Sequence, residues 1–394
     1  MFEGKCIVLG VTGSIAVYKA VDLTSKLTQA GVAVDVVMTE PATRFVSPLS
    51  FQSITHRPVY TDMWAPVTDF NIKHVSLAER ADLIVIAPAT ANSIAMMARG
   101  LADDLLTCTV LSTRAPILIA PAMDVGMYEN EATQANLEQL RSRGHVIVGP
   151  ASGRLASGLE GAGRLVEIPE LLGAIYQALG SSGDLAGKKV IISAGGTREP
   201  IDPVRYIGNY SSGKMGFALA EAARDRGASV TLIKASTSVN PPEGVELIEV
   251  QTAEEMRDAV LSSTRSADVL IMAAAVADYR PSKTEGNKIK REQDELILEL
   301  TRTTDIIGEV PDDIFKVGFA AESENLIENA TRKLKAKNLD LVVANDITAA
   351  DSGFGSDTNR VIILHADERI ENLPVMSKYE VAHKILNRVV RALY

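Results

Sequence analysis

The sequence is short of cysteine, of long apolar runs and of positive charge, and each shortage excludes a class of protein. Two cysteines, Cys6 and Cys108, occur among 394 residues, both in apolar stretches, so we predict core thiols in a reducing compartment rather than a disulfide framework. No apolar run is long enough to span a membrane. The N-terminal segment enters a predicted strand at once, which leaves no room for a signal peptide. We therefore expect a cytoplasmic protein with no membrane association.

Acidic residues outnumber basic ones. The chain has 40 lysines and arginines against 50 aspartates and glutamates, which gives a net charge of −10 and a pI near 5.2. This balance argues against a nucleic-acid-binding surface, although it permits a local basic pocket. A hydrophobic content of 46% with 23% charged residues is typical of a core-forming protein, and the length predicts two or three domains.

The order of apolar segments predicts an α/β protein built from two similar halves. An apolar run at residues 5–11, a glycine turn, an amphipathic helix and a second apolar run at residues 32–39 form a βαβ unit. The same order begins again after a glycine- and serine-rich stretch that is typical of a flexible linker. We predict two doubly wound, Rossmann-like domains with largely parallel sheets, residues 1–180 and 188–394, joined by a linker at residues 181–187.

The first turn of the chain lacks a dinucleotide fingerprint but can still bind phosphate. Gly10, Gly13 and Ser14 place backbone amides and a hydroxyl at the start of the first helix, which favours an anion there. Their spacing does not fit G-x-G-x-x-G, so an NAD(P)-dependent reductase with two Rossmann-like domains is disfavoured. A purely structural turn remains an alternative.

A second candidate site follows the apolar run at residues 82–87. Pro88, Thr90 and Asn92 come at the carboxyl end of this predicted strand, where an open α/β sheet binds its ligand. Small side chains at this point let a flat ring approach the backbone. His74 precedes a helix near the same strand end and titrates in the range of a general base, although a structural role is equally open.

The connection at residues 193–216 is the most unusual segment of the second half. It takes about twenty residues to pass from a strand to a helix, whereas such connections usually take about 2–6. Its side chains, including Arg198, Asp202, Arg205 and Lys214, suit a site for an anionic substrate. A solvated surface loop is the alternative.

Part of this connection, residues 208–214, fits the G-x-x-x-x-G-K core of a phosphate-binding loop. Met215 follows where that motif requires serine or threonine, and the preceding strand ends about fifteen residues too early. We therefore reject an ordinary P-loop ATPase. The backbone amides of Ser211, Ser212 and Gly213 can still receive a phosphate at the start of a helix.

Several features of the second half together predict a nucleoside triphosphate site with Mg²⁺. Asp278 follows a strand and can hold Mg²⁺ against phosphates. Phe319 offers an aromatic face to a base. Four lysines can neutralise phosphate charge, two on a polar loop and two spaced four apart on one helix face: Lys288, Lys290, Lys333 and Lys337. Each residue alone also has a structural explanation.

Taken together, the motifs resemble the bifunctional family of coenzyme A biosynthesis, in which phosphopantothenoylcysteine decarboxylase is fused to phosphopantothenate–cysteine ligase. The resemblance covers essentially the whole chain. In the first half it rests on TGSIA, His74, APATAN (87–92) and PAM-x-x-x-MY (121–128). In the second half it rests on the segment 193–216 and on AAAVADYRP, KIK, GFAAE and KNLDLVVAND.

For the ligase half, the resemblance implies that CTP activates the carboxylate of 4′-phosphopantothenate as an acyl-cytidylate, releasing pyrophosphate, and that the amine of cysteine then displaces CMP. It implies that Asn209 handles the acyl intermediate, that Lys288 contacts the nucleotide and that Asp278, predicted above to hold Mg²⁺, is a CTP-binding position. The other implied CTP-binding positions are Ala273, Ala274, Ala275, Asp305, Phe319, Lys333 and Lys337. Asp305 is kept although the family's proline before it is absent here.

For the decarboxylase half, the resemblance implies an FMN-dependent enzyme that oxidises the cysteinyl group, releases CO₂ and then reduces the resulting enethiol. His74 would be the essential base, and Met127 would contact the substrate. The implied FMN-binding positions are Gly13, Ser14, Thr39, Pro88, Thr90 and Asn92. The flavin would lie between subunits of a trimer, and ligase halves would pair as dimers, so the resemblance implies a dodecamer.

Two positions depart from the family pattern. The asparagine that helps to hold the substrate carboxylate is Asp124 here, and the proton-donating cysteine of a glycine-rich flap is Ser157. A hydroxyl is a far weaker acid than a thiol, whose reference pKa is about 8.5. We therefore predict a decarboxylase that is slow in its last step or uses another donor. An active ligase with an impaired or regulatory flavin domain is the alternative.

Overall fold

Parallel strands with both faces buried form the centre of each half of the chain. The computed structural model describes residues 4–64, 72–237, 239–290, 296–322, 325–346 and 355–394. It divides the chain into two compact units, Met1–Leu179 and Gly180–Tyr394. No helix of the described ranges is long and apolar enough to cross a bilayer.

The first unit contains a parallel sheet between two layers of helices. Its strands are β1 (Cys6–Val11), β2 (Ala33–Met38), β3 (Val59–Tyr60), β4 (Leu83–Ala89), β5 (Ile117–Pro121), β6 (Val146–Ile147), β7 (Ala151–Arg154) and β8 (Glu160–Arg164). Its helices are α1 (Val17–Gln29), α2 (Glu40–Thr43), α3 (Pro48–Thr55), α4 (Lys73–Arg80), α5 (Ala91–Arg99), α6 (Leu105–Ser112), α7 (Val125–Glu129), α8 (Glu131–Ser142) and α9 (Ile168–Gly180).

The strand order of this sheet is β3-β2-β1-β4-β5-β6, and every pair is parallel. Every residue of β4 is buried because helices cover both faces of the sheet. The order reverses between β1 and β4, so the carboxyl ends of these strands, Val11 and Ala89, meet at the edge where open α/β sheets bind ligands. The glycine-rich segment forms the hairpin of β7 and β8 beside this edge.

A buried ion cluster holds the sheet on β2. Asp35 is completely buried, and its carboxylate accepts a hydrogen bond from Arg57 at 2.8 Å and pairs with Arg80 at 2.6 Å. The thiol of Cys6 lies 3.5 Å from the same carboxylate. Burial, with the charge of Asp35, raises the pKa of Cys6 to about 11. Cys6 and Cys108 are both free thiols, but they are only half-buried, so the prediction of core thiols is too strong.

The second unit contains a larger sheet. Its strands are β9 (Lys189–Ala194), β10 (Arg198–Pro200), β11 (Tyr206–Gly208), β12 (Ser229–Lys234), β13 (Glu246–Glu249), β14 (Val269–Met272), β15 (Tyr279–Pro281), β16 (Leu300–Arg302), β17 (Phe315–Glu322), β18 (Leu341–Asp346), β19 (Thr358–Asn359), β20 (Val361–His365), β21 (Ile370–Asn372) and β22 (Met376–Ser377). Its helices are α10 (Lys214–Arg224), α11 (Ala253–Thr264), α12 (Leu326–Ala336) and α13 (Lys378–Leu393), with a 3-10 turn at Ile307–Glu309.

The strand order of the larger sheet is β13-β12-β9-β14-β17-β18-β20-β21. The pairs from β13 to β18 are parallel, and β20 and β21 are added in antiparallel fashion. The order reverses between β9 and β14, which again creates a ligand-binding edge at their carboxyl ends. The two sheets confirm the predicted α/β class with largely parallel, doubly wound sheets.

Three predicted segments differ from the structure. The mostly apolar pattern of residues 267–281 predicts one strand. This strand ends at Met272, because the chain then turns to form a short hairpin of β15 and β16. The long connection at residues 193–216 contains the hairpin of β10 and β11 rather than loop alone. The alternating pattern of residues 295–300 also predicts a strand. This segment begins outside the described residues, and of its described part only Leu300 belongs to a strand, β16.

The segment predicted to be a flexible linker packs tightly within the second unit. Leu185 is completely buried, and Asp184 accepts hydrogen bonds from Arg226 at 2.8 and 2.6 Å. A Cβ atom at Gly183 would lie 2.3 Å from the carbonyl oxygen of Arg226, so this position requires glycine. Gly180 and Gly183 therefore serve close packing at this point of the chain.

Candidate functional site

A cavity of about 460 Å³ opens at the carboxyl edge of the first sheet. Its walls are the start of α1, the turn after β5 and the hairpin of β7 and β8, which contribute Ser14, Asp124 and Ser157 respectively. Sequence reasoning placed these three residues in one site, and the structure brings them together. Lys19 and Arg154 add positive charge to the same cavity.

The two residues that depart from the family pattern contact each other. The Ser157 hydroxyl donates a hydrogen bond to Asp124 at 2.6 Å, a distance typical of a hydroxyl bound to an ionised carboxylate. The other carboxylate oxygen of Asp124 accepts from the amide of Gly126 at 3.2 Å and so caps α7. Asp124 therefore joins the β7–β8 hairpin to the turn after β5.

A single hydroxyl connects the ends of β1 and β4. Thr12 donates to the carbonyl oxygen of Pro88 at 2.7 Å and accepts from the amide of Thr90 at 2.9 Å. Thr90 in turn caps α5 through its side chain. Gly13 lies so close to Pro41 that a Cβ atom would approach the proline Cβ to 2.5 Å, which explains the glycine at this turn.

One predicted flavin-binding residue has an unmet hydrogen-bonding group. The hydroxyl oxygen of Thr39, at the carboxyl end of β2, is buried and finds no partner among the described residues. A buried hydroxyl without a partner costs free energy, so a bound polar ligand at this edge would stabilise it.

The remaining predicted residues of the first half are not part of the lining of this cavity. His74 is half-buried in the first turn of α4. Asn92 is in the first turn of α5, where its amide lies 3.5 Å from the sulfur of Met96. Met127 is 50% exposed on α7.

Two adjoining cavities lie at the carboxyl edge of the second sheet, and both are lined by Asp278, Phe319 and Lys333. The first, of about 460 Å³, we call the hairpin cavity because β15 and β16 form one wall; its lining includes Asp305 and Lys337. The second, of about 450 Å³, we call the loop cavity; its lining includes Asn209, Tyr210, Ser211, Ser212, Gly213, Lys214, Met215, Gly216, Ala273, Ala274 and Ala275.

Hydrogen bonds fix the side chains between the two cavities. The Lys333 ammonium donates to the carbonyl oxygen of Phe319 at 2.5 Å, and the Lys337 ammonium donates to Asp305 at 2.9 Å. Lys333 lies in the last turn of α12, whereas Lys337 is the residue that follows the end of the helix, so the two are not both on a helix as predicted. The amide nitrogen of Asn209 donates to the carbonyl oxygen of Val276 at 3.1 Å, which holds the long loop against the end of β14.

Asp202 organises the base of the long loop. Its buried carboxylate accepts hydrogen bonds from the backbone of Val204 at 2.8 Å and of Ile289 at 3.1 Å, and from the guanidinium of Arg205 at 2.9 Å. The bond from Arg205 is the largest cause that holds the pKa of Asp202 well below its usual range. Lys288, next to Ile289, is exposed and lines neither cavity.

Sequence reasoning missed several residues of the loop cavity. Lys378, at the start of α13, and Asn359 line it although they are 7% and 2% exposed. Asn345 lines it from β18. No local pattern marks Lys378, because it reaches the cavity only through the packing of α13 against α10. The described residues contain no group of three or more histidine, cysteine or acidic side chains placed to hold a metal ion.

Comparison with known proteins shows the family. Residues 185–393 match the family model described as DNA/pantothenate metabolism flavoprotein C-terminal domain, and residues 1–180 match the model described as Flavoprotein. The chain is 48% identical over 395 residues to the coenzyme A biosynthesis bifunctional protein CoaBC of Bacillus subtilis (strain 168), across 99% of this chain and 97% of that protein. The chain belongs to the CoaBC family.

Other members and solved structures resemble it over shorter or more divergent stretches. The CoaBC protein of Escherichia coli (strain K12) is 42% identical over 395 residues, with 98% of this chain and 97% of that protein covered. The crystal structure of a CoaBC C-terminal domain is 41% identical and covers 54% of this chain and 98% of that chain, with a TM-score of 0.47. The FMN-dependent cysteine decarboxylase SpaF is 32% identical and covers 45% of this chain and 97% of that chain, with a TM-score of 0.40.

Membership in this family confirms the predicted resemblance. It also confirms a bifunctional enzyme of coenzyme A biosynthesis with decarboxylase and ligase activities. Small-molecule substrates are consistent with an enzyme of this pathway. The flavoprotein match supports the flavin part of the cofactor prediction. A purely regulatory flavin domain is not favoured.

Proposed function

We propose that the second unit condenses 4′-phosphopantothenate with cysteine at the expense of CTP, and that the first unit decarboxylates the product to 4′-phosphopantetheine with bound FMN. The observation that carries the proposal is the pair of edge cavities in the second unit. Their linings contain every residue that the family resemblance assigned to the nucleotide or to the acyl intermediate, except Lys288. Family membership over the whole length of the chain supports it independently.

In the ligase reaction, the cavities would separate the charged and uncharged parts of the nucleotide. The start of α10 offers backbone amides to phosphate oxygens, and Lys333 adds a positive charge between the cavities. The ring of Phe319 provides a face against which a base can stack. Asn209, which lines the loop cavity and is held by the carbonyl oxygen of Val276, would orient the acyl group for attack by the amine of cysteine.

The proposal of Mg²⁺ and of CTP is argued from the chemical preferences of the metal ion and of the base. Mg²⁺ is commonly held by one or two carboxylates together with substrate phosphates, and Asp278 is the acidic residue common to both cavities. Asp278 can therefore supply one ligand, with the nucleotide supplying others. The backbone of Ala273–Ala275, which lines the loop cavity, can read the edge of a base without side-chain interference.

The first unit fits a flavin in two respects. The unpaired hydroxyl of Thr39 lies at the carboxyl edge of the sheet, and the loop before α1 brings the side chain of Ser14 into the cavity. We propose that Gly13, Ser14, Thr39, Pro88, Thr90 and Asn92 hold FMN, which supplies the redox chemistry that makes loss of CO₂ easy. His74 would take up the substrate proton, and Met127 would contact the substrate.

The contact between Ser157 and Asp124 supports a slow last step. A serine hydroxyl carries one proton, and in this structure that proton is already donated to Asp124. Protonation of the enethiol by Ser157 would break a charge-assisted bond and use an acid much weaker than a thiol. We therefore infer that the final reduction is slower here than in relatives that have cysteine at this position.

The test is to incubate the full chain with phosphopantothenate, cysteine and Mg²⁺, to supply each nucleoside triphosphate in turn, and to record product masses. We expect phosphopantothenoylcysteine with CTP, followed by phosphopantetheine, and a visible spectrum with flavin absorption. Absence of the ligation product with every nucleotide would rule out the ligase proposal. A dodecamer of trimers and dimers and a cytoplasmic location remain predictions, and sedimentation analysis tests the assembly.

A further inference from the structure

The loop cavity of the second unit is strongly positive for its size. Lys214, Lys333 and Lys378 line it, whereas Asp278 is the one acidic side chain among its described lining residues. Lys333 contributes to the nucleotide site already described. Lys378 has no assigned role, and for Lys214 the sequence suggests only that its loop suits an anion. The two lysines stand at the first positions of α13 and α10 respectively.

Lys378 is an ammonium group in an unfavourable place. Lys378 is 7% exposed, and its ammonium group donates a hydrogen bond to the carbonyl oxygen of Ser356, a neutral partner. Burial, and then the charge of Lys214, lower the pKa of Lys378. A buried charge is costly unless it is paired, so an anion in the cavity would stabilise both lysines at once.

Lys214 does have an acidic partner, but a weak one. Its ammonium contacts Asp357 at 2.7 Å and the carbonyl oxygen of Gly355 at 2.9 Å. The side chain of Asp357 is 88% exposed, and ion pairs of such exposed groups contribute little stability. The two lysines thus hold one short strip of chain, residues 355–357, which a stronger anion could displace from them.

Two further features of the cavity point to a phosphate. The residue before α10 is Gly213, with a φ of 75°, which has no side chain to cap the helix. The amide of Lys214 donates to the Ser212 hydroxyl at 3.5 Å, the long limit of a hydrogen bond, and the first residues of α10 line the cavity, where a helix start favours an anion. Asn345 lines the same cavity, and its buried side-chain oxygen finds no partner in the described part of the chain. Because a side-chain amide can present either its oxygen or its NH₂ group, Asn345 can bind a phosphate oxygen or a neighbouring hydroxyl.

We propose that Lys214 and Lys378 bind a phosphate group of the ligand, and that Asp357 occupies Lys214 until the phosphate displaces it. The inference rests on the proposed ligase function, which supplies two sources for the group: the phosphate ester of the acyl substrate and the phosphates of the nucleotide. Asp357 then acts as a built-in competitor that keeps Lys214 neutralised and positioned in the free enzyme.

Titration calorimetry of the full chain with pyrophosphate tests the proposal. K214M and K378M should each weaken binding by about tenfold or more, because each removes a charge-assisted bond. D357N should strengthen binding about threefold, because the competitor is lost. Matched controls make the same changes at pairs outside the cavity: K335M removes the partner of Glu368, and D367N removes the partner of Arg369. Both controls should leave the affinity unchanged.

A double variant keeps the test valid if buried Lys378 proves necessary for folding. The gain from D357N should vanish in the K214M background, because the competition acts through Lys214. Affinities within about twofold of the parent in lysine variants that melt normally would overturn the phosphate site. If D357N does not increase the affinity for pyrophosphate, or increases it equally in the K214M background, Asp357 does not compete with phosphate for Lys214.

Separate titrations identify the source of the phosphate. If K214M and K378M bind phosphopantothenate more weakly but bind CTP normally, the lysines bind the phosphate ester of the acyl substrate. If they bind CTP more weakly but bind phosphopantothenate normally, the lysines bind the nucleotide phosphates. Either result supports the site. Pantothenate, which lacks the phosphate, is the control for the first arm. Lysine-dependent pyrophosphate binding in a chain that forms no ligation product would contradict the proposed function while leaving this site intact.

Discussion

Ser157 and Asp124 depart from the family pattern together, and their side chains contact each other. Their hydrogen bond of 2.6 Å joins the flap hairpin to the turn after β5, so each substitution suits the other. A carboxylate is a better acceptor than the family's asparagine amide for a serine hydroxyl. The two positions should therefore be treated as one unit in any experiment.

Restoring the thiol should speed the last step of decarboxylation. We expect S157C to accelerate conversion of the enethiol to phosphopantetheine by at least about tenfold, because general acids typically contribute about 10²–10⁴-fold. D124N alone should help less, and the double variant should exceed the product of the single effects. Rapid-quench mass spectrometry follows both species. A parent enzyme whose reduction is already as fast as that of S157C would contradict the idea.

Among the charged residues of the first unit, we expect Asp35 to contribute most to its stability. Its carboxylate is completely buried against Arg57 and Arg80, each about one-third exposed. D35N should lower the free energy of unfolding by about 3 kcal/mol, the lower end for breaking a buried pair, because both arginines can still reach water. Urea unfolding measures the change. D22N, which alters an exposed pair of α1 with Lys26, is the control and should change stability by less than about 1 kcal/mol.

Among the elements, the long connection after β9 is held by a few defined contacts rather than by its own hairpin. Asp202 binds the backbone of Val204 within the loop and of Ile289 in the segment after β15, and Asn209 holds the loop to the carbonyl oxygen of Val276 beyond β14. The loop therefore belongs to the cavity wall even before a ligand binds.

The loop contacts predict a pH dependence. Hydrogen bonds lower the folded-state pKa of Asp202 below the unfolded value of about 3.9, so its contribution to stability is present above that value and is lost as the pH falls through the folded pKa. D202N should therefore be less stable than the parent at pH 7, and the difference should shrink as the pH falls below about 4. Denaturant unfolding of D202N and the parent at pH 7 and below about pH 4 measures this difference in stability. A gap that widens in acid would contradict the assignment.

Sequence patterns predicted the buried parallel strands well, because strands covered on both faces must be apolar along their whole length. β4 is such a strand, and its polar end residues were recognised as a ligand-binding edge. The patterns failed where tertiary contacts decide the outcome. Residues 267–281 read as one strand but break after Met272, and Leu185 lies in a segment that reads as a linker yet is completely buried. Lys378 reaches its cavity only through helix packing.

At the scale of the whole molecule, the packing of residues 183–185 decides where the chain can be divided. Leu185 belongs to the core of the second unit, and Asp184 is bound to Arg226, whose residue is 3% exposed. A functional ligase fragment must therefore include these residues, although they lie before the first strand of its sheet.

Truncation tests this boundary. A fragment beginning at residue 181 should have ligase activity and unfold cooperatively, whereas one beginning at residue 188 should lose about 2–5 kcal/mol, comparable to removing a buried leucine. The variant L185A in the longer fragment should show a similar loss. Thermal unfolding and product masses provide the readouts. Equal stability of the two fragments would show that the segment is dispensable.

The hydroxyl of Thr12 has a consequence for how a flavin would be received. By donating to the carbonyl oxygen of Pro88 and accepting from the amide of Thr90, it holds two neighbouring strand ends in register before any ligand arrives. An isoalloxazine ring would bind against strand ends that already have their bound conformation, so little binding free energy would be spent on rearranging the protein. Removal and return of the flavin should then leave the backbone of this edge unchanged.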